Sequence, residues 1–404
     1  MLINEFQTKN INIVQFDSIR FLSAIFVITV HLQFSYINIP FAFAYFSMHT
    51  FFVMSAFLIS RGLLINKEKA SSFKQFYKDF YIKRILRIFP VYFAYLFFIF
   101  FIGFAFYIIG FGDVLKLIVE LKKFGWMLLT FTYNYREIAM FIEGISRPDF
   151  VFFSHLWSLS MEEQFYILIP FLIYFLDRKK IVYLSIFFIL FLPIFRVWFY
   201  HNVLPHEQDY ILKGLIYYRA TFLQFDCFFY GILLATYNFE SNYKLYKIIF
   251  YIIAAIYLFS IIYHGIVISS ELNTTFFAAI TRYDFVILNN QYLYHDVMIN
   301  LLIFFMFLNC FYNPRFLSFL NHKFILNFGN KYTYSSYVYQ YIFIIPFVGL
   351  MYPVLKKYLP FPDILNQLII LFLSVYFIYR LSKLSYEKME IKFLYLLKNK
   401  KNGN

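Results

Sequence analysis

At 404 residues the chain could hold two or three soluble domains, but 62% hydrophobic residues, only 14% charged ones and a mean hydropathy of +0.65 exclude an ordinary soluble composition. The formal net charge of +14 does not point to nucleic acid, because Lys and Arg are confined to short stretches between apolar runs, which is how membrane topology is encoded. Cys227 and Cys310 both lie inside apolar runs, so neither a disulfide framework nor a zinc site, nor any other metal, is expected.

Taken in order, the apolar runs describe an all-α, polytopic integral membrane protein with about ten transmembrane helices. They fall near 17–37, 41–65, 88–110, 155–176, 181–200, 215–237, 248–267, 296–312, 333–352 and 365–382. The segment from Trp126 to Tyr135 is a candidate half-buried or re-entrant piece. The 61 Phe and 38 Tyr supply bulk and interfacial belts rather than a cofactor box, since Tyr is favoured where a helix leaves hydrocarbon for headgroups. Lys9 precedes a long apolar run with no small-residue cleavage site after it, so the N-terminus reads as a retained signal anchor. No repeat or linker stands out, and residues 1–404 read as one membrane-embedded domain without an appended soluble one.

Basic loops set the orientation. Lys67, Lys69, Lys74, Lys78, Lys83, Arg84 and Arg87 follow the second span, and Arg178, Lys179 and Lys180 follow the fourth, so those segments face the cytoplasm. An even number of spans puts the tail with Lys388, Lys392, Lys398, Lys400 and Lys401 on the same side.

An ionisable group in a span is costly and usually turns inward toward a cavity or partner, so the charged positions carry the functional information. Arg20 and His31 lie eleven residues apart in the first span, which returns them to within roughly 20° of one helical face about 16 Å apart along the axis. One face therefore carries a cation near the cytoplasm and an imidazole deep in the membrane. The bland account has Arg20 snorkelling to the headgroups and His31 bonded to a neighbouring helix. In the fourth span, His155, Ser158 and Glu162 recur at helical spacing, so an imidazole, a hydroxyl and a carboxylate converge on one face. Ser160 with Glu163 fits a capping box that starts the helix, which leaves Glu162 and His155 without a structural reason. Arg84 and Arg87, at i and i+3 before Pro90 and joined by Arg61, can hold phosphates of a cytosolic anionic donor, although topology alone would also place basic residues there. Arg219 and Asp226 look like a buried pair that fixes helix packing. His201, His206, Glu207 and Asp209 match no metal motif.

With these residues in view, the chain resembles the family-3 membrane acyltransferases, which include O-acetyltransferases of bacterial surface polysaccharides. Phe16-Asp17-Ser18-Ile19-Arg20 through His31 is similar to that family's opening signature, an arginine eleven positions before a histidine. Phe51 to Ile59 resembles its FFxxSGFLI segment, with Ala56 in the glycine's place. Arg84 to Pro90 resembles the basic segment ending in RIxP, and His155 to Tyr166 the HxWSLSxEEQFY stretch. Gly329 to Gln340 is similar to the late GxxSYxxYLxH segment, but Gln340 stands where a histidine is common, and Gln cannot take up a proton. Tyr386 and Glu390 resemble the closing tyrosine and acid, with Lys392 where proline is often found.

The resemblance implies a bacterial inner-membrane enzyme, and the basic segments after even-numbered spans put both termini in the cytoplasm. Acyl-CoA, most simply acetyl-CoA, would enter from the cytoplasm, and a polysaccharide or glycolipid acceptor would be met on the outer side. An acyl thioester needs a base to activate the attacking hydroxyl. His31 is the expected base, with Glu162 orienting the imidazole or acceptor and His155 a weaker candidate for either role. Arg20, Arg84, Arg87 and Arg61 are the expected donor-binding residues. Two rivals have other chemistry: a flippase of an anionic lipid-linked sugar, against which the lack of inverted repeats counts, and a glycosyl transferase or polymerase, which would need an outer loop rich in acids or arginines. Acetyl-CoA consumption separates the first from an acyltransferase.

The orientation is directly testable: a cysteine placed at Asn402 should resist labelling from outside intact cells. Ready labelling would invert the topology and remove the cytosolic route for the donor.

Overall fold

The computed structural model describes residues 13–34, 39–108, 114–144, 152–204, 210–240, 242–282, 294–359 and 361–402, and no strand occurs among them. In chain order the helices are α1 (Val14–Leu32), α2 (Phe41–Lys67), α3 (Phe73–Ile108), α4 (Val114–Leu129), α5 (Arg136–Ile142), α6 (Trp157–Phe175), α7 (Arg178–Asn202), α8 (Tyr210–Arg219), α9 (Thr221–Gln224) and α10 (Asp226–Thr236). They continue with α11 (Tyr243–Glu271), α12 (Phe276–Ile280), α13 (His295–Tyr312), α14 (Lys323–Asn327), α15 (Thr333–Pro346), α16 (Tyr352–Tyr358), α17 (Asp363–Ser385) and α18 (Ile391–Asn402). Turns of π-helix occupy Phe328–Tyr332, Phe347–Met351 and Tyr386–Glu390.

Among the described residues eight helices are long and apolar enough to cross a membrane: Val14–Leu32, Phe41–Lys67, Phe73–Ala105, Arg178–Asn202, Tyr243–Glu271, His295–Tyr312, Lys323–Tyr358 and Asp363–Leu396. The chain is thus an all-α polytopic membrane protein. The fourth expected span is present as α6, but Ser158, Ser160, Glu162, Glu163 and Gln164 make its first half polar. The sixth, expected as a continuous run over 215–237, is broken at Ala220 and Phe225, which leaves only Asp226–Thr236 as an apolar helix.

Two further boundaries differ from the sequence pattern. The first span stops at Leu32 because Gln33 adopts a left-handed conformation (φ 53°) and returns its N–H to the Val30 carbonyl. Residues 35–38 lie outside the described residues. The basic stretch before Pro90 is not a loop but the first half of α3, which runs unbroken from Phe73 through Pro90 to Ile108. The piece expected around Trp126 to Tyr135 consists of the end of α4 and a 3-10 turn at Tyr133–Tyr135.

The chain divides into two compact units. The first comprises Met1–Ala70 and Ile167–Gly329. In it Gly231 lets α10 lie directly on α2, since a Cβ there would overlap the Val53 carbonyl and meet Ala56 Cβ at 2.6 Å. Small residues at such crossings let helix backbones approach where lipid offers no hydrophobic drive to association. Gly329 is held in the same way against the Asp17 backbone. Lys67 Nζ donates to the Ile173 and Leu176 carbonyls at 2.9 and 3.0 Å, satisfying groups that the end of α6 leaves open. Asp177 caps α7 by accepting from the Lys180 amide at 2.8 Å, and that bond holds its carboxyl below the usual carboxylate range.

The heart of this unit is polar. Arg196 on α7 is 2% exposed and bonds Asp226 at 2.7 Å and Asp296 at 2.5 Å. Its guanidinium also donates to Gln224 (3.1 Å) and lies over the Tyr217 ring. Asn300 donates to Asp226 and meets His49 Nδ1 at 2.8 Å, while Tyr257 meets His295 Nε2 at 2.9 Å. The pairing expected between Arg219 and Asp226 is therefore corrected: the guanidinium on Asp226 is that of Arg196. The break at Ala220 to Phe225 is its physical counterpart, because it turns Gln224 and Asp226 toward α7 and α13.

The second unit comprises Ser71–Tyr166 and Asn330–Asn404. Arg136 and Glu120 form a buried pair (2.6 Å), and Tyr133 donates to the same carboxylate. A seam of hydroxyls joins α15 to α17: Ser336 to Ser382 at 3.0 Å and Tyr339 to Ser385 at 3.2 Å. Tyr334 donates to the Ile88 carbonyl of α3 at 2.8 Å.

Replacing Arg196 by Leu should cost about 3 to 5 kcal/mol, because two buried carboxylates lose their counter-charge. Unfolding of the purified protein in detergent measures this, and a variant as stable as the native protein would show that the network does not hold the unit together.

Candidate active site

In the second unit the unbroken α3 brings its basic turn against the polar start of α6. The Arg84 guanidinium lies over the rings of Phe80 and Tyr166, 5.7 Å from each centroid. The Tyr166 hydroxyl donates to Glu162 at 3.2 Å, and Arg84 is within electrostatic reach of both Glu162 and Glu163. Arg87, one turn further along α3, is exposed and within reach of Glu390 and Tyr386. Glu390 sits in a π-helical turn, where Ser385 donates to it at 3.1 Å; such turns recur at functional sites. Arg84, Arg87 and Glu162 are thus brought into one cluster, with Tyr386 and Glu390 at its edge.

The capping box of Ser160 and Glu163 is not there. A 3-10 turn over Ser154–Leu156 leads into α6, so Ser160 is already inside the helix and donates to the Leu156 carbonyl at 3.3 Å. Glu163 is consequently freed from a capping role, and it is 3% exposed, more buried than Glu162. Helix register decides this: a start three residues earlier moves Ser160 from cap to interior.

His155, Ser158 and Glu162 do not converge. His155 is 1% exposed, with Nε2 at 2.9 Å from the Val338 carbonyl and its ring stacked on Tyr341 between the edges of Tyr95 and Tyr337. Ser158 meets the Tyr337 hydroxyl at 2.6 Å, and that hydroxyl donates to the His155 carbonyl at 2.5 Å. The imidazole is the centre of an aromatic cage, while Glu162 faces Arg84's side. Gln340 is fully buried nearby on α15 and donates to the Tyr337 carbonyl at 2.9 Å.

In the first unit, Arg20 is paired with Asp17 at 2.6 Å, one turn back on α1. His31 lies in the last turn of α1, half-buried, rather than at mid-helix as the longer expected span implied. Arg61 is buried within α2 of this unit. Sequence reasoning missed Arg196, His49, His295 and Asp296. Arg196 and His49 were visible as charged or titratable residues inside apolar runs, but their partners lie far along the chain. His206, Glu207 and Asp209 lie outside the described residues, and among the described residues no group of three or more His, Cys, Asp or Glu is arranged to hold a metal.

Comparison with known proteins adds an independent line. A family model described as an acyltransferase domain matches residues 13–383. A Haemophilus influenzae protein described as uncharacterized is 31% identical over 206 residues, covering 48% of this chain and 76% of that one. The O-acetyltransferase OatA of Staphylococcus aureus is 26% identical over 165 residues, 40% of this chain, and the match spans only 25% of OatA. No solved structure matches.

His155→Ala should destabilise the purified protein by about 2 to 4 kcal/mol, the sum of a cavity among three tyrosines and a released carbonyl. Unchanged unfolding in detergent together with lost activity would return His155 to the chemistry.

Proposed function

The chain belongs to the acyltransferase family whose domain model spans residues 13–383, and from that premise we propose that it transfers an acetyl group from cytosolic acetyl-CoA to a hydroxyl of a cell-surface or lipid-linked polysaccharide. The family match over nearly the whole chain carries this reading, and the likeness to OatA supports acetyl as the group and oxygen as the acceptor atom. The donor is supported by the cationic turn of α3, whose Arg84 and Arg87 offer guanidinium groups suited to phosphates.

In the proposed reaction the acceptor oxygen attacks the thioester carbonyl. The new C–O bond forms, the C–S bond breaks, and coenzyme A leaves as the thiolate. His31 takes the hydroxyl proton, since an alcohol is far too weak an acid to ionise unaided at neutral pH. Arg20 adds a charge for the donor on the same face of α1, and Arg61 is a further candidate for that role. Glu162, held by Tyr166, has an orienting role; His155 keeps the start of α6 in place. Two cytoplasmic termini in a bacterial inner membrane complete the proposal.

The test joins two measurements: release of the coenzyme A thiol by the purified protein, and mass spectrometry of the surface glycan with and without it. His31→Ala should express normally and lower glycan acylation about 100 to 10,000-fold, the range one acid-base group supplies. Normal acylation by a well-expressed His31→Ala variant would dismiss His31 as the base, and a native protein that releases no thiol would favour the flippase.

A further inference from the structure

Two buried polar atoms around Arg84 lack hydrogen-bond partners among the described residues. Glu163 is 3% exposed, and its Oε1 has no hydrogen-bond partner among the described residues. The Nε–H of half-buried Arg84 is likewise buried without one. The Tyr166 hydroxyl donates to Glu162 rather than Glu163, and the hydrogen bond between Arg84 and Tyr166 leaves the Nε–H unmatched. Buried polar atoms are ordinarily paired, so a donor and an acceptor left over in one cluster call for a ligand that offers the opposite of each.

Chemistry narrows that ligand. A phosphate or carboxylate would satisfy Arg84 but bring no donor for Glu163 Oε1. A thioester or ester carbonyl would accept from Arg84 and leave the carboxylate unpaired. A hydroxyl offers both to one point, and a secondary amide offers both from opposite edges of one planar group, its C=O accepting and its N–H donating. The hydroxyls of Tyr81, Tyr92 and Tyr334 are also within electrostatic reach of Glu163. Exposed Arg87 one turn away is placed for phosphate. Of the proposed donor, the part that joins phosphates to the thioester is the pantetheine arm, which contains two secondary amides.

We infer that Arg84 and Glu163 clamp one of these amides, Glu163 Oε1 accepting its N–H and Arg84 Nε donating to its carbonyl. The inference rests on the acyl-CoA reading above and extends it to Glu163, a binding residue rather than a catalytic one. The clamp would fix how far the thioester reaches into the protein.

The experiment measures binding to the full chain in lipid nanodiscs, using coenzyme A and two analogues in which one or the other amide N–H is replaced by an ester oxygen. The native protein should bind one of these analogues about 10 to 100-fold more weakly, the range of a hydrogen bond to a charged group. In Glu163→Ala coenzyme A itself should weaken by that factor, and the discrimination should vanish to within about twofold; Glu163→Gln should fall between. Discrimination that persists unchanged in Glu163→Ala, or its absence from the native protein at both amides, overturns the clamp and leaves Glu163 bonded to water only. Should the alanine variant not fold, the analogues on the native protein and on Glu163→Gln decide the matter. A native protein that binds no coenzyme A at all removes the donor reading, and the clamp with it. The two failures are therefore distinguishable.

Discussion

Arg196 sits almost wholly enclosed between Asp226 and Asp296, so its charge must be met by the protein itself. That requirement shapes the first unit. Satisfying one guanidinium draws α7, α9, α10 and α13 to a common point, and the chain breaks its helix at Ala220 and Phe225 to deliver Gln224 and Asp226 there. His49 and Asn300 extend the network to α2. Buried ion pairs are weak evidence for stability in general, but losing one partner of such a pair is severe, and here one cation serves two acids. Around it the apolar contacts, such as Gly231 against the backbone of α2, are close because they can be: small residues lie where helices cross.

The second unit handles its charges differently. Arg136 and Glu120 are paired at 2.6 Å, and Tyr133 donates to the same carboxylate. Around Arg84 the guanidinium lies against the rings of Phe80 and Tyr166, the Tyr166 hydroxyl donates to Glu162, and Glu163 Oε1 has no hydrogen-bond partner among the described residues. His155 is enclosed by the rings of three tyrosines. The two neighbouring glutamates on α6 lie about 100° apart on the helix and therefore serve different neighbours.

Much was determined by sequence alone. Long apolar runs in water are untenable, so an all-α membrane protein follows from composition, and eight of the expected spans recur as helices of sufficient length among the described residues. The ordered motifs from Arg20 to Tyr166 named the family that the match over residues 13–383 bears out. Arg84, Arg87 and Glu162 stood out separately as charged residues of those motifs, but their proximity did not. What only tertiary structure decided is pairing and register. Asp226 takes Arg196 rather than Arg219, and Ser160 is interior rather than a cap. Glu163, which local pattern explained as a helix signal, is the carboxylate buried beside Arg84. The physical reason is common to all three: hydropathy depends on each residue's own transfer cost and is written locally. The partner of a buried charge is instead chosen by which helix lies next to it, over separations of 30 to 100 residues for Arg196 and its two acids.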